Sequence, residues 1–103
     1  MDIQITKPAL NWFKEEFNLT ENDEWIRFFA RYGGCGNIQS GFSLGISQDQ
    51  PVKVGSKLEI DGITFFIEEK DLWYFKNLDL KVKYSRKLDE IEFVYEEKAH
   101  SED

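Results

Sequence analysis

The stretch that most constrains this chain is Leu58-Glu59-Ile60, Asp61-Gly62, Ile63-Thr64-Phe65-Phe66-Ile67. Asp-Gly readily supplies the two positive-φ positions of a type I′ turn, and apolar, strand-forming residues stand on both sides of it. A hairpin is therefore expected across residues 58–67. A chain that holds one such hairpin needs more strands, or a helix, to cover its apolar face. The rest of the sequence supplies them. Trp25 to Tyr32 reads as a strand with Ile26, Phe28, Ala30 and Tyr32 on one face; Trp25, Arg27, Phe29 and Arg31 lie on the other, which is therefore only partly wet. Phe42, Leu44 and Ile46 alternate with Ser43, Gly45 and Ser47, so a second hairpin is expected across a long connection. Leu78, Leu80, Val82 and Tyr84 mark another half-buried strand, and Ile91, Phe93 and Tyr95 a last one. Ile3 and Ile5 form a brief strand at the start, and Val52-Lys53-Val54 a short extended piece that Gly55-Ser56 interrupts.

Two segments change period. Ala9, Leu10, Trp12, Phe13 and Phe17 recur at helical spacing, with Thr6 at the N-cap position and Pro8 in the first turn, where a missing N–H costs little. This predicts an amphipathic helix over residues 7–17, packed on a sheet. Leu72, Trp73 and Phe75, led by acids and closed by Lys76, predict a short helix over 69–76. The expected fold class is mainly β (α+β): mixed β-sheets forming a small sandwich or half-open barrel, with an N-terminal helix and one short late helix. One domain is expected over residues 1–96, followed by a charged flexible tail at 97–103.

Charge and cysteine usage exclude some functions. Acids outnumber bases 20 to 13, giving a formal charge of −7, whereas a protein that grips phosphates needs the reverse. Nucleic acid and anionic membrane surfaces are therefore not expected partners. One cysteine makes no intramolecular disulfide, and the N-terminus shows no secretory pattern, so a cytoplasmic protein is expected.

The glycine-rich stretch Gly33-Gly34-Cys35-Gly36 is the chemical candidate. A thiol among glycines is open to oxidation, attack or metal binding. Cys35 has no placed imidazole to activate it, since the sole histidine is His100 in the tail, so Cys–His catalysis is disfavoured and no enzyme is expected. A closed zinc or iron–sulfur site takes about four protein ligands, and one thiolate falls short. Ligands would have to come from a second subunit or from small molecules; otherwise Cys35 is an incidental loop thiol, and both readings stay open. Other clusters have plainer explanations. His100 with Glu97, Glu102 and Asp103 belongs to a solvated tail. Glu68-Glu69 with Asp71 suits the start of a helix. Arg27, Arg31, Lys81, Lys83, Arg86 and Lys87 form either a small positive patch or solvent-facing partners for the abundant acids.

Taken together these residues resemble the HesB-like domain family, which includes the A-type iron–sulfur cluster carriers. The resemblance rests on Ile5-Thr6-Lys7-Pro8-Ala9 (a "T-x-x-A" opening), Ile26-Arg27-Phe28 leading to Gly33-Gly34-Cys35 ("G-G-C"), and Ser40-Gly41-Phe42-Ser43-Leu44. Asp61-Gly62-Ile63 with Phe65 and Ile67, and Asp71-Leu72-Trp73-Tyr74-Phe75, continue it along the chain. It implies a HesB-like fold and a role in iron–sulfur cluster biogenesis, with Cys35 as metal ligand and Gly34 and Gly36 beside it around an iron or iron–sulfur cofactor. A homodimer sharing Cys35, and iron–sulfur assembly proteins as partners, follow from the same resemblance. Two departures count against this. Gly36-Asn37-Ile38-Gln39 separates the cysteine from Ser40-Gly41, and the carriers' C-terminal "C-G-C" is missing. The alternatives are a non-catalytic interaction module that keeps the fold without cluster chemistry, or a thiol redox protein.

Overall fold

The computed structural model describes residues 1–33 and 41–97. The expectations placed on Gly34, Cys35, Gly36, His100 and the tail beyond Glu97 lie outside those residues. Seven strands and two helices follow one another as β1 (Ile3–Ile5), α1 (Lys7–Glu16), β2 (Glu24–Tyr32), β3 (Phe42–Ser47), β4 (Val54–Ile60), β5 (Ile63–Glu68), a 3-10 helix (Glu69–Phe75), β6 (Asp79–Ser85) and β7 (Glu90–Glu96). The strands form two mixed sheets, β1-β6-β7 and β3-β2-β5-β4, and no closed barrel.

The Asp61-Gly62 turn forms as expected, with φ of 55° and 76°. It joins β4 to β5 in antiparallel register from Ile60↔Ile63 to Val54↔Glu68. Here the structure extends the sequence reading. Val54 and Leu58–Ile60 are one strand, because a bulge between Val54 and Ser56 carries the chain past Gly55 without breaking the pairing. Gly55 itself leaves room for the Leu72 side chain of the 3-10 helix, whose Cδ1 would stand 2.8 Å from an added Cβ. β5 then pairs in parallel with β2, Glu24↔Ile63 through Arg27↔Phe66, and β2 pairs antiparallel with β3. In the other sheet β6 takes β1 in parallel and β7 antiparallel.

The helix starts where Thr6 accepts the N–H of Ala9, with Pro8 in its first turn, and Phe17 forms its C-cap. Its apolar stripe of Ala9, Leu10 and Phe13 is buried. The Phe13 ring meets Phe65 at 5.0 Å and Phe28 at 5.9 Å, both edge-on, and Phe28 meets Phe93 of the facing sheet at 5.8 Å. The core thus lies between the two sheets, with α1 and the buried Tyr74 and Phe75 closing it. Burying side chains of this size contributes roughly 1.5–3 kcal/mol each.

β5 is covered on both faces, and Phe66 is as buried as Phe65 although the two point opposite ways. A second, smaller cluster therefore lies on the outer face of the four-stranded sheet: Trp25 meets Phe66 at 5.7 Å, and the Arg27 guanidinium lies 5.0 Å over the Phe29 ring. No helix among the described residues is long and apolar enough to cross a membrane.

Candidate functional site

Two features of the described residues have the chemistry of a site: an aromatic ridge at one end of the β2–β3 hairpin, and a cavity on the outer face of the same sheet.

The ridge follows from strand pairing. Tyr32 ends β2, Phe42 begins β3, and the register sets them opposite each other, ring centroids 5.5 Å apart. Phe42 meets Trp73 of the 3-10 helix at 5.2 Å, and Trp73 meets buried Tyr74 at 6.0 Å. A line of edge-to-face rings thus runs from the core to the surface, ending in Trp73, 50% exposed, and Tyr32, 86% exposed. Tyr32 and Phe42 flank the segment that carries Gly34, Cys35 and Gly36. Strand alternation alone could have paired Tyr32 with Phe42. Trp73 arrives through the late helix, whose orientation no periodicity in the sequence reveals.

The cavity, of about 490 Å³, is lined by Arg27 and Glu68 and by Val52, Lys53 and Glu69 of the neighbouring segments. Glu68 is 4% exposed and accepts the backbone N–H groups of Val52 and Lys53, each at 2.7 Å. These two hydrogen bonds, more than the positive charge of Arg27, hold its carboxyl below the usual carboxylate range. Lys53 reaches Glu69 at 3.3 Å. Asp71 takes a hydrogen bond of 3.0 Å from Nη2 of Arg27, while Arg27 Nε is buried without a partner. The acids Glu68, Glu69 and Asp71 are thus spent tying the 49–53 segment and the late helix to the sheet. They are not gathered as an acid–base pair.

The basic residues are likewise dispersed. Arg27 and Arg31 stand on the four-stranded sheet, Lys81 and Lys83 on the three-stranded one, so no single positive patch unites them. Arg31 donates to Ser43 across the β2–β3 ladder. Among the described residues no group of three or more His, Cys, Asp and Glu side chains could hold a metal ion. The expected cofactor ligands Cys35, Gly34 and Gly36 lie outside those residues. With one cysteine in the whole chain, a cluster fits only if further ligands come from outside it.

The profile of the family described as iron-sulphur cluster biosynthesis matches residues 1–99. The chain is 56% identical over 96 residues to a pyruvate dehydrogenase inhibitor of Bacillus subtilis, covering 93% of this chain and all of that protein. It is 40% identical over 96 residues to an uncharacterised protein of Staphylococcus saprophyticus, covering 91% of this chain and 98% of the relative. An uncharacterised protein of Staphylococcus aureus is 37% identical over 95 residues, covering 90% and 97%. The chain belongs to the iron-sulphur cluster biosynthesis family, as the HesB-like resemblance implied.

Proposed function

We propose that this member of the iron-sulphur cluster biosynthesis family is a non-catalytic, cytoplasmic interaction protein that binds and inhibits pyruvate dehydrogenase. The observation that carries the reading is its 56% identity with a pyruvate dehydrogenase inhibitor across that protein's whole length. The single cysteine and the missing C-terminal "C-G-C" agree with it, since an inhibitor that acts by docking needs no cluster of its own. The Tyr32–Phe42–Trp73 ridge supplies surface of a suitable kind: rigid aromatics, partly exposed, anchored to the core. The test is direct titration of the chain into a purified pyruvate dehydrogenase assay, with complex formation followed by isothermal calorimetry. Saturable inhibition that coincides with a binding isotherm is expected. Unchanged activity at micromolar excess, with no heat of binding, overturns the reading.

The family match, which spans Cys35, favours a second reading. In it Cys35, with Gly34 and Gly36 beside it, holds iron or an iron–sulfur cluster shared across a homodimer, completed by glutathione-like thiols or carboxylates and exchanged with iron–sulfur assembly proteins. Anaerobic reconstitution of wild type and Cys35→Ser with ferrous iron and sulfide separates the two. Stoichiometric iron bound by wild type and lost in the variant supports the cluster, and equal, negligible uptake removes it.

A further inference from the structure

Apart from the aromatic ridge and the cavity on the four-stranded sheet, one other hollow brings rings and charges together. It lies between α1 and the turn joining β6 to β7, has a volume of about 350 Å³, and is lined by Pro8, Trp12, Glu15, Tyr84, Arg86 and Asp89. The chain builds it from two sides. Pro8, Trp12 and Glu15 follow one another at helical spacing, so they share one face of α1. Tyr84 alternates with Leu80 and Val82 on the face of β6 that α1 packs against, and Arg86 and Asp89 belong to the turn that follows.

Both rings are fixed in place, and both are only partly buried. Trp12 packs against Phe13 at 5.0 Å and Phe17 at 6.4 Å, each edge to face. Tyr84 donates its hydroxyl hydrogen to Oδ1 of Asp89. That hydrogen bond, with burial adding to it, raises the Tyr84 hydroxyl above its ordinary value of 10, so the phenol stays neutral. Among the described residues the one cation–π contact is Arg27 over Phe29, so no base of the chain covers either ring. Glu15, Asp89 and Arg86 have no ion-pair partner among those residues either. The hollow thus holds two carboxylates against one guanidinium, in a molecule whose net charge is −7.

We propose that this hollow receives a lysine ammonium group presented by a partner protein. An ammonium has N–H donors and no acceptor, and the lining offers what it needs. The Glu15 carboxylate and the Asp89 oxygen that Tyr84 leaves unused can accept from it, and Trp12 and Tyr84 supply aromatic rings for its charge. Pro8 and the Trp12 indole give the aliphatic stem of the lysine an apolar wall. An anion fits poorly, since two of the three charges in the lining are negative. A free amine is also a poorer occupant. Pro8, Glu15, Arg86 and Asp89 are exposed, and exposed cation–π and carboxylate contacts are individually weak. A side chain carried by a protein adds the same contacts to those its own surface makes around the rim, and the net charge of −7 draws basic surfaces in. The site is independent of pyruvate dehydrogenase inhibition and of Cys35.

The experiment titrates the peptide acetyl-Gly-Lys-Gly-amide into the isotope-labelled full chain and follows residue-resolved NMR shifts. Saturable shifts of the Trp12 indole N–H and of the Glu15 and Asp89 backbone amides are expected at millimolar peptide. The same peptide acetylated on the lysine keeps the stem and loses the charge, and is expected to leave those signals unmoved. Glu15→Gln should weaken binding by about two- to fivefold, and Arg86→Gln, which removes the opposing charge, should tighten it by a similar factor. Trp12→Leu should weaken it by about threefold or more, and Glu15→Gln, at an exposed position, serves should the leucine variant not fold. No shift at these residues, or equal shifts with the acetylated peptide, overturns the proposal. Weaker binding by Arg86→Gln overturns it as well, because the occupant would then be seated on the guanidinium. Cadaverine binding tenfold more tightly than the peptide would replace the partner's lysine with a free diamine.

Discussion

Gly45 shows how closely β3 and β2 are fitted. A Cβ at that position would stand 2.5 Å from the Phe29 ring, which lies across the glycine and under the Arg27 guanidinium. Gly45→Ala is expected to push the ring aside and destabilise the protein by about 1–3 kcal/mol, measured by urea unfolding. Glu68 governs a pH response. Its folded pKa lies below the ordinary value of 4.5 because two backbone N–H groups favour the carboxylate. The unfolded chain therefore takes the proton first. The stabilisation is complete above about pH 4.5 and is lost as pH falls through the lower folded value. Glu68→Gln should be less stable than wild type at pH 7, and the difference should shrink in unfolding titrations carried toward pH 3. Neither role was legible in the sequence. The Gly45–Phe29 contact needs the register, and Glu68 read as one of several acids at a helix start.

Elements were more legible than residues, for a physical reason. The Asp61-Gly62 turn, the alternation in β2, β3 and β6, and the 3.6 period of α1 are local signals, and each appears at its expected place. What local periodicity could not reveal is which strands become neighbours. The parallel β2–β5 and β1–β6 pairings join segments far apart in sequence, and the bulge that makes β4 one strand shows only in its register with β5. The aromatic stripe of α1 was read as core, and the structure agrees. Phe13 is fully buried against rings of β2 and β5, so Phe13→Ala should cost about 3–5 kcal/mol in chemical unfolding. A measured value near 1 kcal/mol would mean that α1 is not held by this contact.

At the scale of the molecule, the HesB-like fold was readable because a turn, a helix and an alternation recur in one order, and the family match over residues 1–99 bears it out. The site was less readable. The sequence drew attention to Cys35 because cysteine and glycine are conspicuous residue types, whereas the ridge of Tyr32, Phe42 and Trp73 becomes visible only when β2, β3 and the late helix meet. If the chain acts by docking through that ridge, Tyr32→Ala with Trp73→Ala should weaken inhibition of pyruvate dehydrogenase by tenfold or more. Cys35→Ser should leave inhibition unchanged. Calorimetric titration of each variant checks both, and the reverse pattern would favour the thiol. The β1–β6 pairing has one more consequence. Ile3 to Ile5 wait for Leu80 to Val82, and Leu80 donates its N–H to the Asp2 carbonyl. On a ribosome adding about 5–20 residues per second, the first strand stays without its partner for about 4–15 s. The first strand is thus among the last to be locked in place, and the three-stranded sheet cannot be completed until β7, Glu90–Glu96, has been made.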